Sequence, residues 1–140
     1  MKSGPIILIE DDHDDEDIFE DILKQLEIPN KLIWFTRADE AFHFLKTGSD
    51  HPFIIFCDVN LPGLNGVEFK RKLDEDEELR KKSIPFVFYS TSATQPTINE
   101  VYTKMTVQGF FKKSNNFEQT KETLKTIFDY WKICKHPNTY

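Results

Sequence analysis

Only two cysteines, Cys57 and Cys134, occur in the chain. They are too few for a disulfide framework and lack the paired spacing of a zinc site, so both are expected to be free thiols. No apolar run approaches the roughly 18 residues of a membrane span. Met1-Lys2-Ser3-Gly4-Pro5 leads into an apolar tetrad without a signal-peptide core. Basic residues are in deficit: Lys and Arg number 18 against 24 Asp and Glu, for a formal net charge of -6. No arginine-rich arm or basic patch offers phosphate neutralisation, which argues against nucleic-acid binding. These absences predict a cytoplasmic protein with no membrane and no nucleic-acid partner, one that works against other proteins.

Hydrophobic residues make up 39% of the chain and charged ones 30%, with 13 Phe among the former. That composition is globular, and the length predicts one domain over 1–140, with its core over about 5–134 and a tail over 135–140. Pro5-Ile6-Ile7-Leu8-Ile9 is a short continuous apolar run, the pattern of a strand buried on both faces of a parallel sheet. Ile18, Phe19, Ile22, Leu23 and Leu26 then recur at helical spacing, with acids in the first turn where the helix dipole favours them.

This unit repeats. Leu32–Phe35 is read as a second strand and Ala38, Ala41, Phe42 and Leu45 as the buried stripe of its helix. The third strand is Phe53–Cys57, its helix starting near Gly66 with Val67, Phe69 and Leu73 inward, and the polar stretch Asp74–Lys82 reads as a solvated helix end and connection. Pro85–Tyr89 is the fourth strand, followed by a helix marked by Ile98, Val101, Tyr102 and Met105. Gly109–Lys112 is the fifth, followed by a helix carrying Phe117, Leu124, Ile127, Phe128 and Trp131. Five strands alternating with five helices predict a doubly wound α/β fold of three layers. In the flavodoxin-like order 2-1-3-4-5, ligands bind beyond the carboxyl ends of the strands.

At that edge the sequence places Glu10 and Asp11 after the first strand, Asp58 after the third, Ser90 after the fourth and Lys113 after the fifth. Strand two supplies nothing of the kind. Each residue has an ordinary explanation when taken alone: helix-start acids, a turn-forming aspartate, a capping hydroxyl, a surface lysine. Four independent strand ends delivering acid, acid, hydroxyl and cation to one edge favour a site instead. Three converging carboxylates repel one another unless a cation compensates, and hard oxygens suit Mg²⁺.

These residues resemble the receiver domain of two-component response regulators, the CheY-like family. The resemblance rests on Ile7-Leu8-Ile9-Glu10-Asp11-Asp12, Asp58-Val59-Asn60-Leu61-Pro62-Gly63 through Gly66, Ser90-Thr91-Ser92, and Gly109-Phe110-Phe111-Lys112-Lys113. Asp76-Glu77-Glu78-Leu79 through Ile84-Pro85, with Phe128-Asp129-Tyr130-Trp131, is further similar to single-domain phytochrome response regulators.

The resemblance implies that Asp58 accepts a phosphoryl group from a sensor histidine kinase or a histidine phosphotransfer protein. Asp11 and Asp58 would ligate Mg²⁺ (or Mn²⁺) with the backbone carbonyl of Asn60, Glu10 acting through water and Asp12 serving only the helix start. Lys113 would neutralise phosphoryl oxygens, Ser90 would be the switch hydroxyl, and Phe110 the aromatic whose rotamer follows it. Asn60 and Ser92 would flank the path of the hydrolytic water, giving a phosphorylated lifetime of minutes rather than days. The face of the fourth helix, fifth strand and fifth helix would then signal to a protein target, and is a candidate homodimer surface. Such a domain catalyses only its own modification and is not an enzyme in the turnover sense.

One departure stands out: the family's usual proline after the lysine is Ser114 here. A non-proline cis bond costs about 3 kcal/mol, so the sequence leaves the Lys113–Ser114 peptide open between cis and trans. Two other readings use the same residues. A haloacid-dehalogenase-type phosphatase also has a nucleophilic aspartate and Mg²⁺, but Asn60 stands where its second acid belongs. A pseudo-receiver would bind partners without accepting phosphate. A flavin or nucleotide module is disfavoured, because Glu10-Asp11-Asp12 would repel phosphate in the first loop.

Overall fold

The computed structural model describes residues 4–137. Its elements are β1 (Ile6–Ile9), α1 (His13–Gln25), β2 (Leu32–Phe35), α2 (Ala38–Thr47), β3 (Ile54–Cys57), α3 (Gly66–Glu75), α4 (Glu77–Lys81), β4 (Phe86–Ser90), α5 (Gln95–Lys104), β5 (Gly109–Lys112) and α6 (Phe117–Ile133). The strands form one parallel sheet in the order β2-β1-β3-β4-β5, as the alternating pattern predicts.

Side chains alternate across a strand, so each apolar run feeds two cores. Ile6, Leu8, Ile54, Phe56, Val87 and Tyr89 pack on one face against α1 and α6. Ile7, Ile9, Ile55, Cys57, Phe86 and Phe88 pack on the other against α2, α3, α4 and α5. This explains why β1 and β3 are wholly apolar and β4 is so up to Tyr89 and Ser90: no face of them meets water.

Four local expectations change. The polar stretch after α3 is not a plain connection but holds the short helix α4. Asp76 ends α3 and caps α4, its carboxylate accepting from Leu79 N at 3.1 Å, while Leu79 is buried among charged neighbours. A single apolar residue leaves no period to read. In α5 only Val101 of the expected stripe is buried. Tyr102 is 53% exposed, and Met105 stands past the helix as its C-cap. In α1, Ile18 is exposed rather than inward.

Finally, residues 135–137 are not merely a tail. His136 is 2% exposed, stacks on Phe53 with ring centroids 5.0 Å apart and donates from Nε2 to the Phe53 carbonyl at 2.6 Å. The remaining positions of that expected tail, 138–140, and positions 1–3 lie outside the described residues. No helix of the described residues is long and apolar enough to cross a membrane.

Candidate functional site

The backbone ladder runs past the strand ends and fixes the residues that follow. Glu10 N donates to Phe35 O at 3.0 Å, Asp58 N to Ile9 O at 3.1 Å and Lys113 N to Ser90 O at 3.0 Å. Each functional side chain therefore departs from main chain still held by the sheet, which limits its reach to the shared carboxyl edge. Trp34 of β2, where no contribution is expected, donates from Nε1 to the Glu10 carbonyl at 2.7 Å and anchors that residue from the other side.

Two features of the loop after β3 explain its sequence. Gly63 takes φ +72°, a conformation that favours glycine and suits the turn behind Pro62. Gly66 begins α3 so close to the end of β3 that a Cβ would stand 2.1 Å from the Asp58 carbonyl oxygen. Asn65 caps α3 through a reciprocal pairing with Glu68.

The polar groups meet at Asp58, which is 7% exposed. Its Oδ1 accepts from Ser90 Oγ at 2.6 Å and from Asn60 N at 3.1 Å, and its Oδ2 accepts from Lys113 Nζ at 3.0 Å. Lys113 Nζ also donates to Glu10 Oε1 and, at 3.0 Å, to Asp15 Oδ2. The Lys113–Ser114 peptide is trans, and Lys113 nonetheless enters the site. Glu10, Asp11 and Asp58 each offer a carboxylate oxygen, all within 4.8 Å of one another. Two of these acids are buried and Asp11 is exposed, so the cluster opens to solvent on one side.

Electrostatics follow from burial and crowding. Burial pushes the Glu10 carboxyl up to about 7; the Lys113 ammonium opposes that shift, and the Asp58 charge adds to it. Burial works against the Lys113 ammonium, yet its pairing with Glu10 and Asp58 holds its pKa above the usual lysine range. The Cys57 thiol, wholly enclosed below the site, is pushed well up, first by burial and then by Asp58 and Glu10. It is an inert core group, its Sγ–H directed at the Asp58 carbonyl at 3.2 Å.

Of the remaining predicted residues, Asn60 and Ser92 fall at this edge, whereas Phe110 lies within β5, two residues before its carboxyl end. Asn60 Nδ2 donates to Ser92 Oγ, so the pair is joined across the β3 and β4 loops. Phe110 is half-buried, with its ring centroid 5.5 Å from that of Phe88. Asp12 caps α1, accepting from Asp14 N at 2.8 Å and Asp15 N at 3.3 Å, which is the helix-start role expected of it. Asp15 itself was not singled out by sequence. Its position in the first turn of an acid-rich helix reads equally well as dipole solvation, and only its contact with Lys113 separates the two.

The donor set fits a hard divalent cation: carboxylate oxygens from separate loops, partly open to water, around one buried acid. It also brings an ammonium and a hydroxyl to the same carboxylate. Known proteins share this arrangement of chain. Rcp1 of Synechocystis sp. is 27% identical over 131 residues, covering 90% of this chain and 87% of Rcp1. The crystal structure of the phosphorylated cyanobacterial phytochrome response regulator RcpA has a TM-score of 0.87 at 26% identity, covering 98% of this chain and all of RcpA. That of the Mn²⁺-bound form of Rcp1 has a TM-score of 0.83 at 26% identity, covering 96% of this chain and 99% of Rcp1. Residues 6–125 match the response regulator receiver domain, and with the sheet order in agreement, the chain belongs to that CheY-like family of two-component signalling proteins.

Proposed function

We propose that the protein is a phosphoryl-accepting signalling domain in which Asp58 is the acceptor. The observation that carries this reading is the convergence on one buried carboxylate of a hydroxyl, an ammonium and two further acids. Phosphoryl transfer asks a protein chiefly for positioning and for charge compensation at the equatorial oxygens. An Asp58 oxygen attacks the phosphorus of a phosphohistidine on a kinase or phosphotransfer protein. A P–O bond forms and the P–N bond breaks, and its electron pair leaves on the imidazole nitrogen, giving an acyl phosphate.

Asp11 and Asp58, with the backbone carbonyl of Asn60 and with Glu10 through water, would hold Mg²⁺ or Mn²⁺. Bound there, the cation supplies positive charge beside the phosphoryl oxygens. Rcp1, solved in a Mn²⁺-bound form, supports that assignment. Lys113 neutralises charge from the opposite side, and Ser90 donates to the new group.

The added charge and acceptor oxygens redistribute the hydrogen bonds of Ser90, and Phe110 repacks against Phe88 in response. Because the extra helix α4 shifts the labels, the face expected to respond is α5-β5-α6. A protein target, or a second copy of the chain, that binds one arrangement better reads the state as a shift in populations. Asn60 and Ser92 lie on the approach to Asp58 and set hydrolysis to minutes rather than days; phosphate release from purified phosphoprotein measures it.

The deciding experiment is incubation with acetyl phosphate and Mg²⁺, followed by intact mass. Wild type gains one phosphoryl group and Asp58→Asn none. No gain by wild type, or equal gain by both, sinks the reading.

A further inference from the structure

We propose that Asp15 is a positioning residue for Lys113: it anchors the ammonium so that it stays aimed at Asp58. The proposal rests on the phosphoryl-acceptor reading above. An ammonium has three N–H donors, and Lys113 spends them on Glu10, Asp15 and Asp58. Two of these partners, Glu10 and Asp58, also belong with Asp11 to the carboxylate cluster suited to a cation, and Asp15 does not. Whatever positive charge enters that cluster competes with Lys113 for the first two. Asp15 is the partner left to it.

The anchor is built to hold. Asp15 sits in the first turn of α1, its N–H taken by the Asp12 cap, and Phe19 one turn on is buried in the core. Its carboxylate is thus carried by a fixed helix rather than a loop. From the other side Lys113 is held at its main chain, whose N–H donates to Ser90 O at 3.0 Å, and its ammonium lies 5.7 Å from the Tyr89 ring centroid. Ser114 turns its hydroxyl away, donating to Gln119 Oε1 at 2.7 Å and accepting from Asn116 N at 3.0 Å, which ties the loop to α6 and leaves the ammonium to its acids. Where the family's proline would shape this loop, the chain places a carboxylate at the far end of the lysine. The Lys113 side chain is 7% exposed and that of Asp15 38%, so the pair lies at the lip of the site, where a charge-assisted bond still orders a flexible side chain.

The test compares wild type with Asp15→Asn, Asp15→Glu and, as a control for net charge, Asp21→Asn at an exposed position of the same helix. In the metal-free, unphosphorylated protein, Lys113 is acetylated with N-hydroxysuccinimidyl acetate and followed by peptide mass spectrometry. Labelling is expected to rise at least about threefold in Asp15→Asn, the scale of a partly exposed ion pair, and to stay near wild type in Asp15→Glu and Asp21→Asn. Phosphoryl uptake from acetyl phosphate with Mg²⁺ is expected to slow by a similar factor in Asp15→Asn alone. Wild-type labelling of Lys113 in Asp15→Asn overturns the proposal, as does equal slowing of uptake in Asp15→Asn and Asp21→Asn. If wild type takes up no phosphoryl group, the acceptor reading fails, while the labelling still decides whether Asp15 holds Lys113.

Discussion

Ser90 Oγ lies 2.6 Å from Asp58 Oδ1, so the hydroxyl faces the Asp58 carboxylate. Ser90 Oγ also accepts from Ser92 N at 3.2 Å, and the residue is fully buried. Ser90→Ala removes the donor and leaves Oδ1 with Asn60 N. Stability is expected to fall by about 1–2 kcal/mol, read from the urea midpoint. Phosphoryl uptake should persist in this variant, while the NMR shifts of the Phe110 ring respond less to it than in wild type.

Glu10 makes metal-free stability depend on pH with a definite sign. Unfolded, its carboxyl ionises near 4.5; folded, burial holds it protonated up to about 7. Between those values the folded state keeps a proton the unfolded state has lost. Stability from this group is therefore full below the lower value and lost as pH rises through the upper one. Glu10→Gln should flatten the decline, a difference on the order of 2 kcal/mol between about pH 5 and about pH 8. Urea unfolding with a chelator present checks it, and parallel pH profiles for the two proteins would contradict it.

Gly66→Ala tests the close approach behind Asp58. Its Cβ meets the Asp58 carbonyl oxygen, a backbone atom that cannot swing aside. The variant is expected to lose about 1–3 kcal/mol, the range for overpacking, and to accept phosphoryl more slowly because Asp58 itself is displaced. Unchanged uptake with unchanged thermal midpoint would show that α3 yields instead.

His136 should matter to stability and not to chemistry. His136→Ala removes its stack on Phe53, its edge contact with Trp131 and its bond to the Phe53 carbonyl. A loss of about 1–3 kcal/mol in urea unfolding is expected, with phosphoryl uptake intact at temperatures below the transition.

Much of this was legible in the residues themselves. The apolar tetrads of β1 and β3 are continuous rather than alternating, which states that both faces are covered and so implies helices on each side. An acid directly after each of those tetrads then falls at the carboxyl edge whatever the helices do. Less could be read where one residue carries two meanings. Asp15 serves a helix start and an ion pair with equal ease, Tyr102 and Ile18 keep helical spacing yet stay exposed, and Leu79 is one apolar side chain in a charged run.

The order of apolar runs and strand-end residues was enough, by itself, to determine the doubly wound sheet and to place Glu10, Asp11, Asp58, Ser90 and Lys113 on one rim, because strand direction and crossover handedness leave few alternatives. Only the tertiary structure decided which oxygens share the Lys113 ammonium, that a trans peptide still delivers it, and that His136 returns to cover Phe53. Those outcomes depend on distances of a few ångströms between segments far apart in the chain, and periodicity carries no information at that scale.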